Sequence, residues 1–393
     1  MNYKPLDIAE QEIRVITLHT VADGPEYAEG PVHCRLEHVS IDPASLSEPA
    51  KQGLPLRGSN HIWTLDENQR VGCDDFPKLF RYKRADPPLA EGNQHGAEDG
   101  LPWRFGWGDY VALSYVWGSP SPVRKIFIDG VPFYVRTNLE LALRQLRKYR
   151  RIQEGFKIWV DAISINQDDV EERSEQVARM KNIFKSAWHV LVWLGKEKNN
   201  SDLAMAMITY LGSAPHNIYW NTNPFGRWSP KALYYLVRCF VTTYQVGAGT
   251  LGSGLFAALT HFFNRPYWKR LWIIQEIALG SPGTPVLCGE KCIQWRDVVK
   301  TSIYLLNDKD SIEKDGLVSY EPPMQHLVVT KWDLTRDRLT LNSGLYQFAG
   351  SLWKHLLSLA ELQADEARDM QGSDWKTALF LSRTAEVTDE RDR

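Results

Sequence analysis

Residues 158–195, IWVDAISINQDDVEERSEQVARMKNIFKSAWHVLVWLG, spell a complete strand, helix, strand unit, and a chain built on such a unit has few architectures open to it. Ile158, Val160, Ala162 and Ile163 form an apolar run of the length of a strand buried on both faces. Asn166, Gln167, Asp168 and Asp169 break it. Asp169 and Glu172 have capping-box spacing, and Val177, Met180, Ile183, Phe184 and Ala187 recur at helical intervals, so the pattern predicts a helix from about Val170. Val190 to Leu194 then reads as a second buried strand closed by Gly195. Strands joined by a helical crossover run parallel with a right-handed connection. Ligands of such sheets gather beyond the carboxyl ends of the strands, which puts residues 161–167 and Gly195 on the functional edge.

The pattern extends in both directions. YVALSYVWG at 110–118 predicts a buried strand over 111–116 ending at Trp117 and Gly118. Segments 125–129 and 131–135 flank Asp129-Gly130, a dipeptide that favours a tight hairpin turn. Thr137 and Glu140 give another capping-box spacing, with Leu139, Leu143 and Leu146 on one helical face. Strand, hairpin, helix, strand, helix, strand is the order of a doubly wound α/β sheet with helices on both faces. Earlier, 12–18 and 33–41 read as strands forming a hairpin or an edge, followed by a long Pro- and Gly-rich excursion to about residue 108. Residues 196–263 read as a mostly helical insertion, with helices at 203–211 and 233–244. It contains the GxGxxG spelling GAGTLG at 247–252, which lacks a preceding strand and reads as a turn. Residues 265–280 predict a helix beginning near Pro266 and ending before Gly280. Beyond it come a Cys-bearing turn region, a polar loop at 307–315 and helices at 345–362 and 375–382. The expected organisation is therefore an N-terminal β extension and loop (1–107), a central α/β domain (108–280) and a C-terminal helical lobe (281–393).

Composition narrows the function. A net charge of −2 without a basic stripe argues against a nucleic-acid partner. The most apolar stretch, 233–259, contains Arg238 and several Gly, so no membrane span is expected, and the amino terminus lacks signal-peptide character. Five scattered cysteines suit free thiols in a reducing, cytoplasmic compartment. Cys288 and Cys292 lack His partners at zinc-like spacing, and the acidic cluster at 168–172 is explained by a helix start, so no metal site is expected. No P-loop or nucleophile elbow is spelled out.

Three blocks, 110–118, 158–195 and 265–280, together resemble the HET (heterokaryon incompatibility) domain of filamentous fungi. The likeness rests on ALSYVWG, WVDAISINQ followed by EER and QV, VLVWLG, and RPYWKRLWIIQE, in that order. The lead-in pieces YKPLD, EIRVITL and CRLEHVSID also look like those of the family, and TDERDR at 388–393 resembles the start of a longer family motif, so the expectation is a truncated chain or the first part of a larger protein. Ser164 stands where the family often has Cys, which removes thiol chemistry there. The resemblance implies a cytoplasmic cell-death or immune-type effector on a TIR-like (flavodoxin-like) parallel sheet. It further implies a homo-oligomer on activation and an upstream sensor or incompatibility partner. Some TIR domains cleave the nicotinamide glycosidic bond of NAD, and Ser114-Tyr115 and the block Trp272 to Glu276 look like their Ser-aromatic pair and WCxxE-type glutamate. By that likeness Glu276 is the catalytic acid and NAD the substrate, with no cofactor required. Ser114, Tyr115, Trp117, Asp161, Asn166 and Trp272 would surround the nucleotide, with Arg173 and Gln275 structural or orienting.

Each residue also has a plainer role open to it. Glu276 either stabilises an oxocarbenium-like centre or pairs with Lys269 or Arg270 to fasten a helix. Asp161 either binds ribose, orients Arg173 or caps a loop, and Trp117 either meets a base or closes the core. The competing reading of the whole is a non-catalytic signalling and oligomerisation module of the same fold.

Overall fold

The alternation of apolar side chains along strand β3 (Tyr110–Tyr115) sets the architecture, because all six residues are buried and they face two different cores. In the computed structural model, which describes residues 3–48, 103–213, 258–259, 261–270, 276–277, 284–295, 297–298 and 301, Val111, Leu113 and Tyr115 join one core and Tyr110 and Ala112 the other. A strand with both faces apolar needs cover on both.

The chain provides that cover by two crossovers. After β3 come the hairpin strands β4 (Val123–Ile128) and β5 (Val131–Arg136), preceded in the chain by β1 (Glu12–Leu18), the short helix α1 (Glu26–Glu29) and β2 (His33–Ser40). Helices α2 (Thr137–Leu146) and α3 (Arg150–Gln153) then lead to β6 (Lys157–Trp159). From β6, α4 (Asp161–Ser164) and α5 (Val170–Ser186) lead to β7 (Val190–Trp193). Leu139, Leu143 and Leu146 of α2 pack with Val111 and Leu113, whereas Ile183 and Phe184 of α5 pack with Tyr110 and Ala112. The two crossovers thus lie on opposite faces.

The described strands form one nine-stranded sheet in the order β5-β4-β2-β1-β6-β3-β7-β8-β9, completed by β8 (Pro285–Cys288) and β9 (Lys291–Gln294). Its centre, β6-β3-β7-β8, is parallel, in registers that include Ala112↔Trp159, Ser114↔Val192 and Val192↔Val286. The flanks are largely antiparallel, so the sheet is mixed.

Several sequence expectations hold in detail. The β4–β5 turn uses Asp129 and Gly130 at φ 51° and 79°, the left-handed pair that matches strand twist. Helix α5 starts at Val170, and α6 (Ser201–Ser213) covers the helix expected at 203–211.

Others are corrected. The β1–β2 hairpin lies inside the sheet rather than at an edge, with β1 bonded to β6 and β2 to β4, because Ile13 and Val15 face one core while Ile16 and Leu18 face the other. The strand expected over 158–163 ends at Trp159. There the Asp161 carboxylate accepts the Ala162 amide at 2.7 Å, the Ser164 hydroxyl accepts the Val160 amide at 3.2 Å, and one helical turn results. Asp169 does cap α5, but Glu172 accepts from Asn166 N instead of closing a capping box. Likewise Thr137 donates to Pro122 O and Glu140 is held by Arg144, so α2 has no side-chain N-cap. On α5, Val177 is exposed and Gln176 takes the buried position. Residues 266–269 form a 3₁₀ turn, with Arg270 extended after it, rather than the opening of an α-helix. The Cys-bearing turn region beyond 281 is the β8–β9 hairpin and extends the sheet past the expected domain boundary. The expected helices at 233–244, 345–362 and 375–382, GAGTLG and the loop at 307–315 lie outside the described residues. Among the described residues, no helix is long and apolar enough to cross a membrane.

Candidate functional site

The carboxyl end of β3 is where two crossovers diverge over opposite faces, the topological switch point at which ligands of α/β sheets gather. Successive strand residues alternate sides, so Ser114 and Tyr115 part company. Tyr115 is buried in the α2-side core, away from the position beside a nucleotide that the sequence suggested. Ser114 meets Tyr267 and Glu276 of the returning chain.

That return is fixed before it reaches Ser114. The buried Arg265 guanidinium donates to Leu194 O at 2.8 Å and Lys196 O at 3.0 Å, which binds the segment to the end of β7. Pro266, whose ring presets φ and whose missing N–H costs nothing at a helix start, opens the 3₁₀ turn. The turn delivers Tyr267, whose phenol lies 2.6 Å from the Ser114 hydroxyl. Ser114 in turn donates to the Glu276 carboxylate. With that proton committed, the Tyr267 phenol is the donor to Ser114, and a chain Tyr267 to Ser114 to Glu276 follows. Arg270 completes the group, its Nη2 3.3 Å from Glu276 Oε1 and its Nη1 3.5 Å from Oε2. Ser114, Tyr267, Arg270 and Glu276 are each at most 3% exposed, so the ion pair is shielded from water. Such a pair is costly to break, because removing one partner strands a buried charge. Among the described residues, the Arg270 Nε has no hydrogen-bond partner.

A second group stands at the same edge. Trp117 follows β3 and Asp161 follows β6, so both stand just beyond the carboxyl ends of neighbouring parallel strands. The Trp117 indole N–H faces both Asp161 carboxylate oxygens, at 3.2 and 3.1 Å. The Arg136 guanidinium lies over the Trp117 ring, 4.9 Å from its centroid, and donates to Gly118 O at 2.7 Å. Gln167 donates to Asp161 O at 2.9 Å. Arg173, which Asp161 was a candidate to orient, reaches Gln167 O at 3.4 Å. Asn166 spends its side-chain oxygen on the Asp168 amide, which makes it a turn residue. Trp272 and Gln275 lie outside the described residues.

The loop between these groups is anchored from the amino terminus. Arg14, fully buried, pairs with Glu172 at 2.6 Å and donates to Ser164 O at 3.2 Å, while Tyr3 donates to Ile163 O at 2.9 Å and lies beneath the Arg14 guanidinium. Burial pushes the Tyr3 phenol up to about 12. Asn138, in the first turn of α2, joins the ends of β3 and β7 by donating to Val116 O at 2.6 Å and accepting from the Trp193 indole at 3.0 Å. Sequence reasoning missed Tyr267, Arg265, Asn138 and the Arg14 clamp. Most of their partners are backbone carbonyls, which carry no residue identity to read.

Comparison with known proteins points to one family. The family model described as "Heterokaryon incompatibility protein (HET)" matches residues 110–276, from the first residue of β3 to Glu276. The chain is 31% identical over 211 residues to "Heterokaryon incompatibility protein 6, OR allele" of Neurospora crassa, a match covering 48% of the chain and 30% of that relative. No solved structure matches the chain.

Proposed function

For a chain that carries a HET domain over residues 110–276, we propose a cytoplasmic incompatibility-type effector of cell death that cleaves the N-glycosidic bond of NAD or a related nucleotide when it self-associates. The observation that carries this reading is the placement of the Glu276 carboxylate against Ser114 at the carboxyl end of the central strand. Numbering only the parallel strands β3, β6, β7 and β8 by chain order gives the arrangement 2-1-3-4, which supports a flavodoxin-like, TIR-like sheet with its ligand crevice beside strand 1.

In this reading the bond between the ribose anomeric carbon and the nicotinamide nitrogen breaks, its electron pair leaves with neutral nicotinamide, and water adds to the anomeric carbon to give ADP-ribose and a proton. Glu276 accepts a hydrogen bond from a ribose hydroxyl and its negative charge stabilises the oxocarbenium-like centre. Ser114 and Tyr267 hold one carboxylate oxygen in place. Arg270 holds Glu276 in the resting chain, and association with further copies, prompted by an upstream sensor or incompatibility partner, turns the carboxylate toward substrate. Trp117 and Asp161 form the neighbouring wall.

A specific observation favours a second reading. Glu276 is only 3% exposed and both of its oxygens are engaged, the pattern of a tie that fastens a segment to the sheet. In that case the domain signals by assembly alone. Cell death follows from both, so the separating experiment follows the NAD pool during induced expression in a fungal host. The catalytic reading predicts that NAD falls before viability does and stays level with Glu276→Gln. Death at an unchanged NAD level would favour the signalling module.

A further inference from the structure

A groove of about 540 Å³, large enough for a small ligand, lies on the α2 side of the sheet, and its chemistry has no part in the site at Glu276. It runs from the chain after α1, past the start of β4, along one face of α2 to Lys196. Four basic residues, Arg124, Lys125, Arg144 and Lys196, line it against two acidic ones, Glu29 and Glu140. Arg144 and Glu140 neutralise each other in an i,i+4 pair. Among the described residues, Arg124 and Lys196 have no carboxylate partner, and the Lys125 ammonium lies over the Phe127 ring at 5.3 Å. Lys125 therefore turns away with Phe127, and the Arg124 and Lys196 cations face the groove against the one remaining carboxylate, Glu29. The first turn of α2, which has no side-chain cap, opens into the same space at Thr137. The amino end of the helix dipole adds positive potential where the cations already are. The cationic ends come from β4 and from the chain after β7, and the backbone of Lys196 is fixed by Arg265.

We propose that this groove binds a small ligand through a diphosphate group. Unpaired positive charge and a modest volume suit a compact anion better than an extended polymer or an apolar molecule. The site stands whether or not Glu276 is catalytic.

The test is isothermal titration of the full chain with inorganic pyrophosphate and, separately, with ADP-ribose. Binding of either is expected, weakening as salt rises from 50 to 500 mM, on the order of tenfold or more. The double variant Arg124→Glu/Lys196→Glu changes exposed residues that support no core, and it should lose binding. Lys185→Glu, on α5 across the sheet, should bind as wild type does. Equal affinity for the two probes assigns recognition to the diphosphate alone, and tighter binding of ADP-ribose assigns it to a nucleoside diphosphate. Absence of heat with both probes at millimolar concentration, or binding unchanged in the double variant, overturns the proposal.

Discussion

Replacing Glu172 by Gln should unfold this domain more readily than almost any other single change near the candidate site. Arg14 is fully buried, and Glu172 meets it with both oxygens, at 2.6 and 3.0 Å, while 13% of the Glu172 side chain remains exposed. Breaking a buried pair by removing one partner costs about 3–5 kcal/mol. Arg14 keeps the carbonyls of Ser164 and Lys4 as acceptors, so the low end applies and the expected loss is about 3 kcal/mol. Arg14→Met strands the partly exposed Glu172, which keeps the Asn166 amide, and should cost about 2 kcal/mol. Because each single change includes the penalty of an orphaned charge, the double variant should cost about 1–2 kcal/mol less than their sum. Urea unfolding followed by tryptophan fluorescence and circular dichroism measures all four proteins. Singles below about 1 kcal/mol, or additivity within about 0.3 kcal/mol, would refute the view that this pair holds the loop carrying Asn166 and Gln167.

Asn138→Ala removes the acceptor of the buried Trp193 indole and the donor to Val116 O, and should cost about 2 kcal/mol in the same assay. Burial pushes the Cys34 and Cys292 thiols up to about 12, so iodoacetamide at pH 8 should leave both unlabelled by peptide mass spectrometry until urea unfolds the chain. With its phenol near 12 in the fold against 10.0 for an exposed one, Tyr3 keeps its proton in the native state while the unfolded chain loses it. Stability should therefore fall as pH rises from about 10 toward 12, more steeply in wild type than in Tyr3→Phe, and parallel curves would contradict this. Gly130→Ala, forced to hold φ at 79°, should cost about 1 kcal/mol by urea unfolding.

What the sequence revealed followed from periodicity and local turn chemistry. The β3 run, the Asp129-Gly130 hairpin and the start of α5 are all set by residues within a few positions of one another. Asp161 misled because apolar neighbours continue the strand pattern, while a carboxylate capping the next amide is a stronger local signal for a turn. Val177 and Gln176 exchanged expectations because a helix face is fixed by what it packs on, and the buried glutamine breaks the apolar stripe. The β8–β9 hairpin is only four residues on each side, too short for its pattern to outweigh a turn. At the site, Ser114, Asp161 and Glu276 were legible as residues with chemistry, and the structure brings Ser114 and Glu276 together. Tyr267 as the third member and Arg14 as the anchor of the neighbouring loop depend on contacts across more than a hundred residues, which no local spacing encodes.

The central claim, that the Glu276 carboxylate carries the chemistry, is tested most directly by nicotinamide release from NAD by the purified protein over a range of protein concentrations. Wild type is compared with Glu276→Gln and with Arg270→Met/Glu276→Gln, which removes the orphaned charge, each first shown to be folded by circular dichroism. The account predicts release that rises more steeply than in proportion to concentration and is absent from both variants. Release persisting in either variant, or none from folded wild type at any concentration, would contradict it.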